Sequence, residues 1–301
     1  MSKTKIEWAE KVWNPVTGCS KISEGCRNCY AERMAKRLAG RCGYPTGDPF
    51  KMTLHHDHIG DPVHWRNPSR IFLGSMTDLF HDDVPFYWLD KIFDIATRAD
   101  RHTFLVLTKR PERMKAYFSR PDIIWPFKNV WLGVTAENQD QADKRIPILL
   151  QTPAAVRFVS VEPMLGSVDI RRYFRGCPPG CMKDALCPLE CGHKRKIGLD
   201  WVICGGESGP GARPMHPDWA RSLRYQCHAA GVPFLFKQHG EWLHIANSPT
   251  ISSEDCKKYR TSQLAFFVES NLRATFAKVG KKKAGRLLDG QLWDQYPEIH
   301  P

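Results

Sequence analysis

With 301 residues, 42% of them apolar and 25% charged, the chain is long enough for one large α/β domain with a sizeable core or for two smaller ones. It has no run of eighteen apolar residues to span a membrane, and its opening, Met1 to Trp8, lacks the apolar stretch of a secretory signal, so the expected setting is cytosolic. A formal charge of +12 points to polyanions, nucleic acid first, the plainer alternative being a basic, solvated surface.

Eleven cysteines in a chain of this kind read as metal ligands sooner than as disulfides, and seven of them fall in two tight clusters. The first is Cys19-Ser-Lys-Ile-Ser-Glu-Gly-Cys26-Arg-Asn-Cys29-Tyr30, after the short apolar run Trp13 to Val16. A helix is predicted next, with Ala31, Met34 and Leu38 on one face and Gly40 as its stop. Three thiolates feeding a helix N-terminus suit an iron–sulfur cluster with one open iron; zinc is the alternative, although a closed zinc site takes four ligands. Tyr30 either shields such a group or packs in the core. The connection 41–70 is expected to pass over the barrel mouth. Its Cys42, His55, His56, His58 and His64 are either a source for a fourth ligand or simply exposed.

From residue 71 to 238 short β-rich runs alternate with helical patterns. The predicted strands are Ile71–Gly74, Thr103–Leu107, Val130–Val134, Val156–Val161, Trp201–Cys204 and Pro233–Phe236, with one more before residue 40. Near-continuous apolar strands separated by helices imply a parallel sheet covered on both faces, a full or partial (β/α) barrel. Each strand runs into polar residues, where barrel sites are built: Ser75 and Asp78, Thr108 and Lys109, Thr135 and Asn138, Glu162, Gly205 to Ser208, and Lys237. Lys109 and Lys237 either bind an anionic ligand or balance Glu162 and Glu207. Thr135 and Asn138 are polar contacts or helix caps, and Arg110 and Arg213 contact phosphate or form surface ion pairs. Gly205, Gly206 and Gly209 permit close backbone approach, and Ser208 is placed to cap the next segment of the chain.

Residues 171–200 interrupt this pattern with Cys177, Cys181, Cys187 and Cys191, followed by His193, a compact zinc knob or a second cluster. The predicted organisation is a barrel over 1–242 carrying that insertion, then a basic extension over 243–301. A hairpin is expected there from Thr275–Val279 and Arg286–Leu288, around a lysine-rich turn.

The three-cysteine loop within a barrel pattern resembles the radical S-adenosylmethionine superfamily. Cys26-x2-Cys29 matches its motif, whereas six residues rather than three separate Cys19 from Cys26, and the aromatic Tyr30 follows the last cysteine instead of preceding it. Gly205-Gly206-Glu207 ends a late strand, so the methionine-amine role of the superfamily's Gly-Gly-Glu is not carried over. The resemblance implies that Cys19, Cys26 and Cys29 hold a [4Fe-4S] cluster whose open iron is chelated by S-adenosylmethionine. The cofactor contacts would come from Tyr30, Ser75, Asp78, Thr108, Thr135, Asn138, Gly205, Gly206 and Ser208, and the catalytic groups would be Glu162, Lys237, Glu207 and Lys109. It also implies an electron donor of flavodoxin or ferredoxin type. The segments WNPVTGC, GCRNCYAERMAKRL, VLTKRPERM, NVWLGVTAENQ, VRFVSVEPMLG, GGESGPGARPMHPDW and GVPFLFKQHGEW resemble, in order, a bacterial and phage family of unknown function. Phage occurrence makes nucleic acid the expected substrate, in lesion repair of the photoproduct-lyase kind or in base modification. A non-catalytic zinc protein that binds nucleic acid and an electron-transfer protein are the competing expectations.

Overall fold

Alternation along the strands sets the architecture. Ile71 and Leu73, Phe104 and Val106, and Val130, Leu132 and Val134 pack on one face, while Phe72, Leu105 and Trp131 pack on the other. Both faces are apolar, as a sheet covered on two sides requires. The structure, a computed structural model, describes residues 4–123, 125–174, 197–246, 254, 258, 263–269 and 272–298.

The strands are β1 (Lys11–Trp13), β2 (Val16–Thr17), β3 (Thr53–Leu54), β4 (Arg70–Leu73), β5 (Thr103–Thr108), β6 (Val130–Thr135), β7 (Val156–Val161), β8 (Trp201–Gly205) and β9 (Phe234–Gln238). Seven of them form one sheet in the order β1-β4-β5-β6-β7-β8-β9, with every pair parallel. Neighbours in the sheet follow chain order, without the reversal of a doubly wound fold, and the sheet curls into a partial β/α barrel. The longer helices among the described residues are α1 (Tyr30–Arg37), α2 (Phe86–Arg98), α3 (Pro111–Phe118), α4 (Gln139–Gln151) and α5 (Pro217–Ala230). No helix among the described residues is long and apolar enough to cross a membrane.

The outer face of the sheet packs under the helices, where α2 alone buries Trp88, Leu89, Ile92 and Phe93. The inner face is a second core of Trp8, Phe72, Leu105, Trp131, Phe158, Trp201, Ile203 and Leu235. These large side chains fill the interior near the N-terminal ends of the strands and leave the other end for polar groups.

Strands β1 and β9 do not pair, and the C-terminal segment occupies the gap between them. Asp294 bridges Leu235 antiparallel, Phe236 N–H donates to the Trp293 carbonyl (2.8 Å), and Trp201 Nε1 donates to the Gln295 carbonyl (2.8 Å). Tyr296 stacks near Trp201 (5.2 Å between centroids), lies under the Arg70 guanidinium (4.3 Å), and donates its hydroxyl to the Glu7 carbonyl (3.4 Å). An ion pair from Lys281 to Glu7 (2.8 Å) adds to the closure.

The first strand stops at Trp13, because Pro15 removes a ladder donor; Val16–Thr17 turns away and pairs antiparallel with Thr53–Leu54. The C-terminal hairpin is not the expected one. Strands β10 (Trp242–Ala246), β11 (Leu264–Glu269) and β12 (Leu272–Lys278) form an antiparallel sheet in which β12 pairs with β11 and β10. The apolar run at 264–268 offers β12 a better partner than Arg286–Leu288, and Arg286 is instead drawn to the Lys237 carbonyl (2.8 Å). Cys177, Cys181, Cys187 and Cys191 lie outside the described residues.

Candidate functional site

The cysteine loop begins where β1 ends. Asn14 Oδ1 accepts from Ser75 Oγ and from Met76 N–H, both at 3.1 Å, tying this exit to the end of β4. Cys19 N–H donates to the Phe50 carbonyl (3.3 Å), Glu24–Cys26 form a short 3-10 turn, and Cys29 sits at the N-cap position of α1. The three thiols are partly buried and line one cavity of about 250 Å³ at the C-terminal ends of the strands.

The same cavity is lined by Tyr30, Ser75, Asp78, Thr108, Lys109, Thr135, Glu162, Gly206, Glu207, Ser208 and Lys237, residues far apart in sequence that were expected to share a site. Two expected residues do not line it. Asn138 caps α4, accepting from Gln141 N–H (3.0 Å), and Gly205 lies within β8. A Cβ on Gly205 would stand 2.6 Å from Glu162 Oε1, so glycine there makes room for that carboxylate.

Most of the charges are matched inside the protein. Asp78 accepts from Thr108 Oγ1 (2.6 Å), Lys109 N–H (2.9 Å), Phe80 N–H (3.1 Å) and Arg110 (3.2 Å), which makes it a hub for the β4 and β5 exits rather than a free ligand. Lys109 pairs with Glu137 (3.5 Å) rather than with Glu207. Glu137 is fully buried and also accepts from Ser23 Oγ (2.6 Å) and Arg145 (2.8 Å). Burial raises its pKa, but Lys109 and Arg145 outweigh that and hold the carboxyl below its ordinary range. Glu137 thereby pins the cysteine loop, and a side chain at Gly25 would collide with its carboxylate.

Glu207 is bound by Arg213 through Nε and Nη2, both at 2.9 Å, and by the Arg213 N–H (2.8 Å). Burial pushes this carboxyl up, and the Arg213 bonds more than reverse the shift. Arg213 continues to Glu24 (2.9 Å), Asn28 donates to the Gly211 carbonyl (2.7 Å), and Arg33 donates to the Ser208 carbonyl (3.1 Å). These contacts clasp the β8 loop onto the cysteine loop. Arg110 and Arg213 are therefore committed to acidic partners. Glu162 accepts from Ser160 Oγ (3.1 Å) and Trp8 Nε1 (3.3 Å) on Oε2, and its Oε1 faces Lys237 Nζ at 3.2 Å.

The thiols are not equivalent. Cys26 is destabilised as a thiolate by burial, but the Lys109 charge and hydrogen bonds from Ile22 and Ser23 bring its pKa below the ordinary value. Burial, then the nearby Asp78, pushes the Cys19 thiol up against the opposing pull of Arg110, whose Nη1 lies 3.7 Å from Sγ. Tyr30 is 46% exposed, and its hydroxyl donates to the Ser75 carbonyl.

The histidines of the 41–70 connection do not reach this cavity. His55 bonds Thr17 Oγ1 (2.7 Å) and lines a separate hollow of about 200 Å³ with Cys42 and His58. His56 packs on Trp88 (4.6 Å). The β2–β3 pairing directs them along the outside of β1. Among the described residues no three His, Cys, Asp or Glu side chains converge on one ion. The three cysteines do line the one cavity, with the Lys109 charge acting on Cys26 and Arg110 Nη1 3.7 Å from Cys19 Sγ. Three thiols with cations nearby are the donor types that a thiolate-held cluster would draw on.

Glu137, Arg145, Trp8, Ser160 and Gln238 also build the site and were not among the expected site residues. Glu137 carried a signal, since it stands two residues beyond Thr135 at a strand exit. Trp8 precedes the first strand and carried none.

A partly closed parallel barrel with three cysteines and a ring of ion pairs at the strand C-termini defines an α/β barrel protein with its site at the usual barrel face. The chain belongs to the DUF5131 family, described as a protein of unknown function, which matches residues 3–297. No curated protein and no solved structure matches it.

Proposed function

We propose that the chain is a radical S-adenosylmethionine enzyme on a barrel of that type, with Cys19, Cys26 and Cys29 as ligands of a [4Fe-4S] cluster and nucleic acid as substrate. The observation that supports this most is the sharing of one cavity by three thiols from the loop after the first strand and polar groups from the later strand exits. When bound, cluster and S-adenosylmethionine would supply a reductively generated 5′-deoxyadenosyl radical for hydrogen abstraction. The protein's own part is positioning. Lys109 and Arg110 offset thiolate charge, Glu137 and Ser23 fix the loop, and Trp8, Phe72 and Leu107 keep water from the floor of the cavity. Glu162 and Lys237 orient the bound groups, while Glu207 serves the clasp with Arg213. The charge of +12 favours a polyanionic substrate, in lesion repair or base modification, and an electron donor of flavodoxin or ferredoxin type would act with it.

The test is anaerobic reconstitution with iron and sulfide, reduction, addition of S-adenosylmethionine and assay of 5′-deoxyadenosine. The expected result is product that disappears in the Cys26→Ala, Cys29→Ala double variant. A colourless protein loaded with zinc and giving no product would sink the proposal in favour of a metal-stabilised binding module.

A further inference from the structure

Residues 21–41 hold six cations and two acids. Both acids are taken: Glu24 pairs with Arg213 (2.9 Å), and Glu32 with Lys21 (2.9 Å) and Lys36 (2.8 Å). That leaves Arg27, Arg33, Arg37 and Arg41, none of which meets a carboxylate among the described residues. Arg27, Arg37 and Arg41 are exposed. Arg33 is half-buried and donates to the carbonyls of Ser208 (3.1 Å) and Pro210 (3.4 Å), which leave its charge unopposed. At the cavity the reverse holds, since Lys109, Arg110, Arg213 and Lys237 each have a carboxylate within 3.5 Å.

Within α1, Tyr30, Arg33, Met34 and Arg37 recur at i, i+3, i+4 and i+7, one face of a helix, while Ala31 and Ala35 are buried. Tyr30 is 46% and Met34 39% exposed. Tyr30 also lines the cavity, so this face starts at the cavity mouth and carries its cations away from it. A cation in the last turn of a helix is favoured by the helix dipole. That accounts for Arg37 but not for Arg27, ahead of the helix, or Arg41, beyond it.

We propose that this face holds the phosphodiester backbone of a nucleic-acid strand and leads it to the cavity mouth. An unpaired guanidinium presents a planar fork that matches phosphate oxygens. Arg33 and Arg37 stand about 6 Å apart along the helix axis, and with Arg27 and Arg41 they extend over more length than one small anion can use. An acidic protein surface is the rival partner, and exposed Ile22 and Met34 would suit it. All four unpaired cations are arginine, however, while both lysines of the segment are spent on Glu32, and that choice favours phosphate. The inference rests on the nucleic-acid part of the proposed function and not on its radical chemistry.

The experiment measures binding of two fluorescent single-stranded oligonucleotides of one sequence, DNA and RNA, to the full chain over a series of salt concentrations. The double variant Arg37→Gln, Arg41→Gln is compared with Arg66→Gln, Lys128→Gln. The second pair removes equal charge from exposed positions ahead of β4 and β6, at the opposite end of the barrel. The first variant is expected to bind about tenfold more weakly at about 0.1 M salt. Its slope of log K against log salt should be shallower by about 1.4, the worth of two phosphate contacts on a single strand. The second variant should keep the wild-type slope. Equal losses in the two variants would mean that bulk charge alone attracts the strand and would overturn the docking face, as would no binding of either strand by wild type. So would unchanged strand binding in the first variant together with loss of binding to flavodoxin, an acidic probe, which would assign the face to a protein partner. 5′-Deoxyadenosine formation with a chemical reductant is measured alongside. Product without strand binding would end the docking face and the nucleic-acid substrate but not the radical chemistry. Strand binding that depends on Arg37 and Arg41 in a protein that makes no product would do the opposite.

Discussion

The two ends of the barrel interior are built from the same strands and held by different forces. Near the strand N-termini Trp131 and Trp201 meet edge to face (6.0 Å), with Phe158 and Tyr296 beside them. A few residues further along, those strands or their exits carry Lys109, Glu137, Glu162 and Glu207, each in an ion pair. Packing at the floor is undirected and carries no charge that a change of pH could remove. The rim depends on charges that are stable only as sets, because removing one member strands its partner out of water. A mouth built this way is fixed in shape yet remains polar enough for chemistry.

If the floor is the structural end, its loss should cost most. Trp201→Ala removes a fully buried ring that touches Trp131, Phe158 and Tyr296, and is expected to cost about 3–5 kcal/mol in urea unfolding. A loss below about 1 kcal/mol would show that the floor is not core. At the rim, Glu137→Ala leaves Arg145, 4% exposed, without its carboxylate, for a cost of about 3 kcal/mol. Unlike the floor variant it should also release the cysteine loop, so alkylation of Cys26 in the iron-free protein should accelerate while Trp201→Ala leaves that rate unchanged under native conditions. A third, smaller effect concerns the clasp. Gly209 has φ +93° and its missing side chain faces the Arg33 guanidinium, so Gly209→Ala should cost about 1 kcal/mol or somewhat more. Proteolysis of the β8 loop is the sensitive check, and unchanged cleavage would mean the clasp is not a restraint.

The contrast also marks what the sequence made legible. Strand order and the thiol loop could be read because each strand is a short apolar run that breaks into polar residues at a turn. Which charge meets which could be read only in part: Lys237 balances Glu162, one of the two expected roles for that lysine, but the other pairs differ. Lys109 went to Glu137, since their exits from β5 and β6 are neighbours, and Glu207 took Arg213 six residues along. Closure of the seam was equally hidden. The role of residues 291–296 appears only once β9 has an edge that β1 does not pair and the Gln295 carbonyl takes the Trp201 indole N–H. The hairpin was misplaced for a related reason, since pairing β12 with 264–269 depends on partner choice rather than on local turn residues.

The smallest expected effect is in pH, and it separates seam from rim. His239 follows β9 and bonds the Leu287 carbonyl through Nε2 (2.8 Å). Burial, its largest influence, holds its pKa below the ordinary value; the Leu287 bond and Asp289 oppose that, and Arg221 adds to it. A histidine depressed in the fold binds its proton more readily when unfolded, so stability is complete above about pH 6.5 and declines as pH falls toward the folded value. His102 and His216 are depressed in the same direction, again chiefly by burial. The rim carboxylates Glu137 and Glu207 are also depressed, but their contribution is present above the unfolded carboxylate value, about 4.3, and is lost only in stronger acid. Urea midpoints at constant ionic strength should therefore be level from about pH 8 to 7, slope gently downward to about pH 5, and drop steeply below about pH 4.5. His239→Gln keeps a donor for the Leu287 carbonyl and should make the gentle slope shallower. The steep acid limb should be unaffected, because it belongs to depressed carboxylates such as Glu137, Glu207 and Asp143 rather than to a histidine. A variant that steepened the gentle limb would mean that His239 is charged in the fold and that the seam, like the rim, is held by charge.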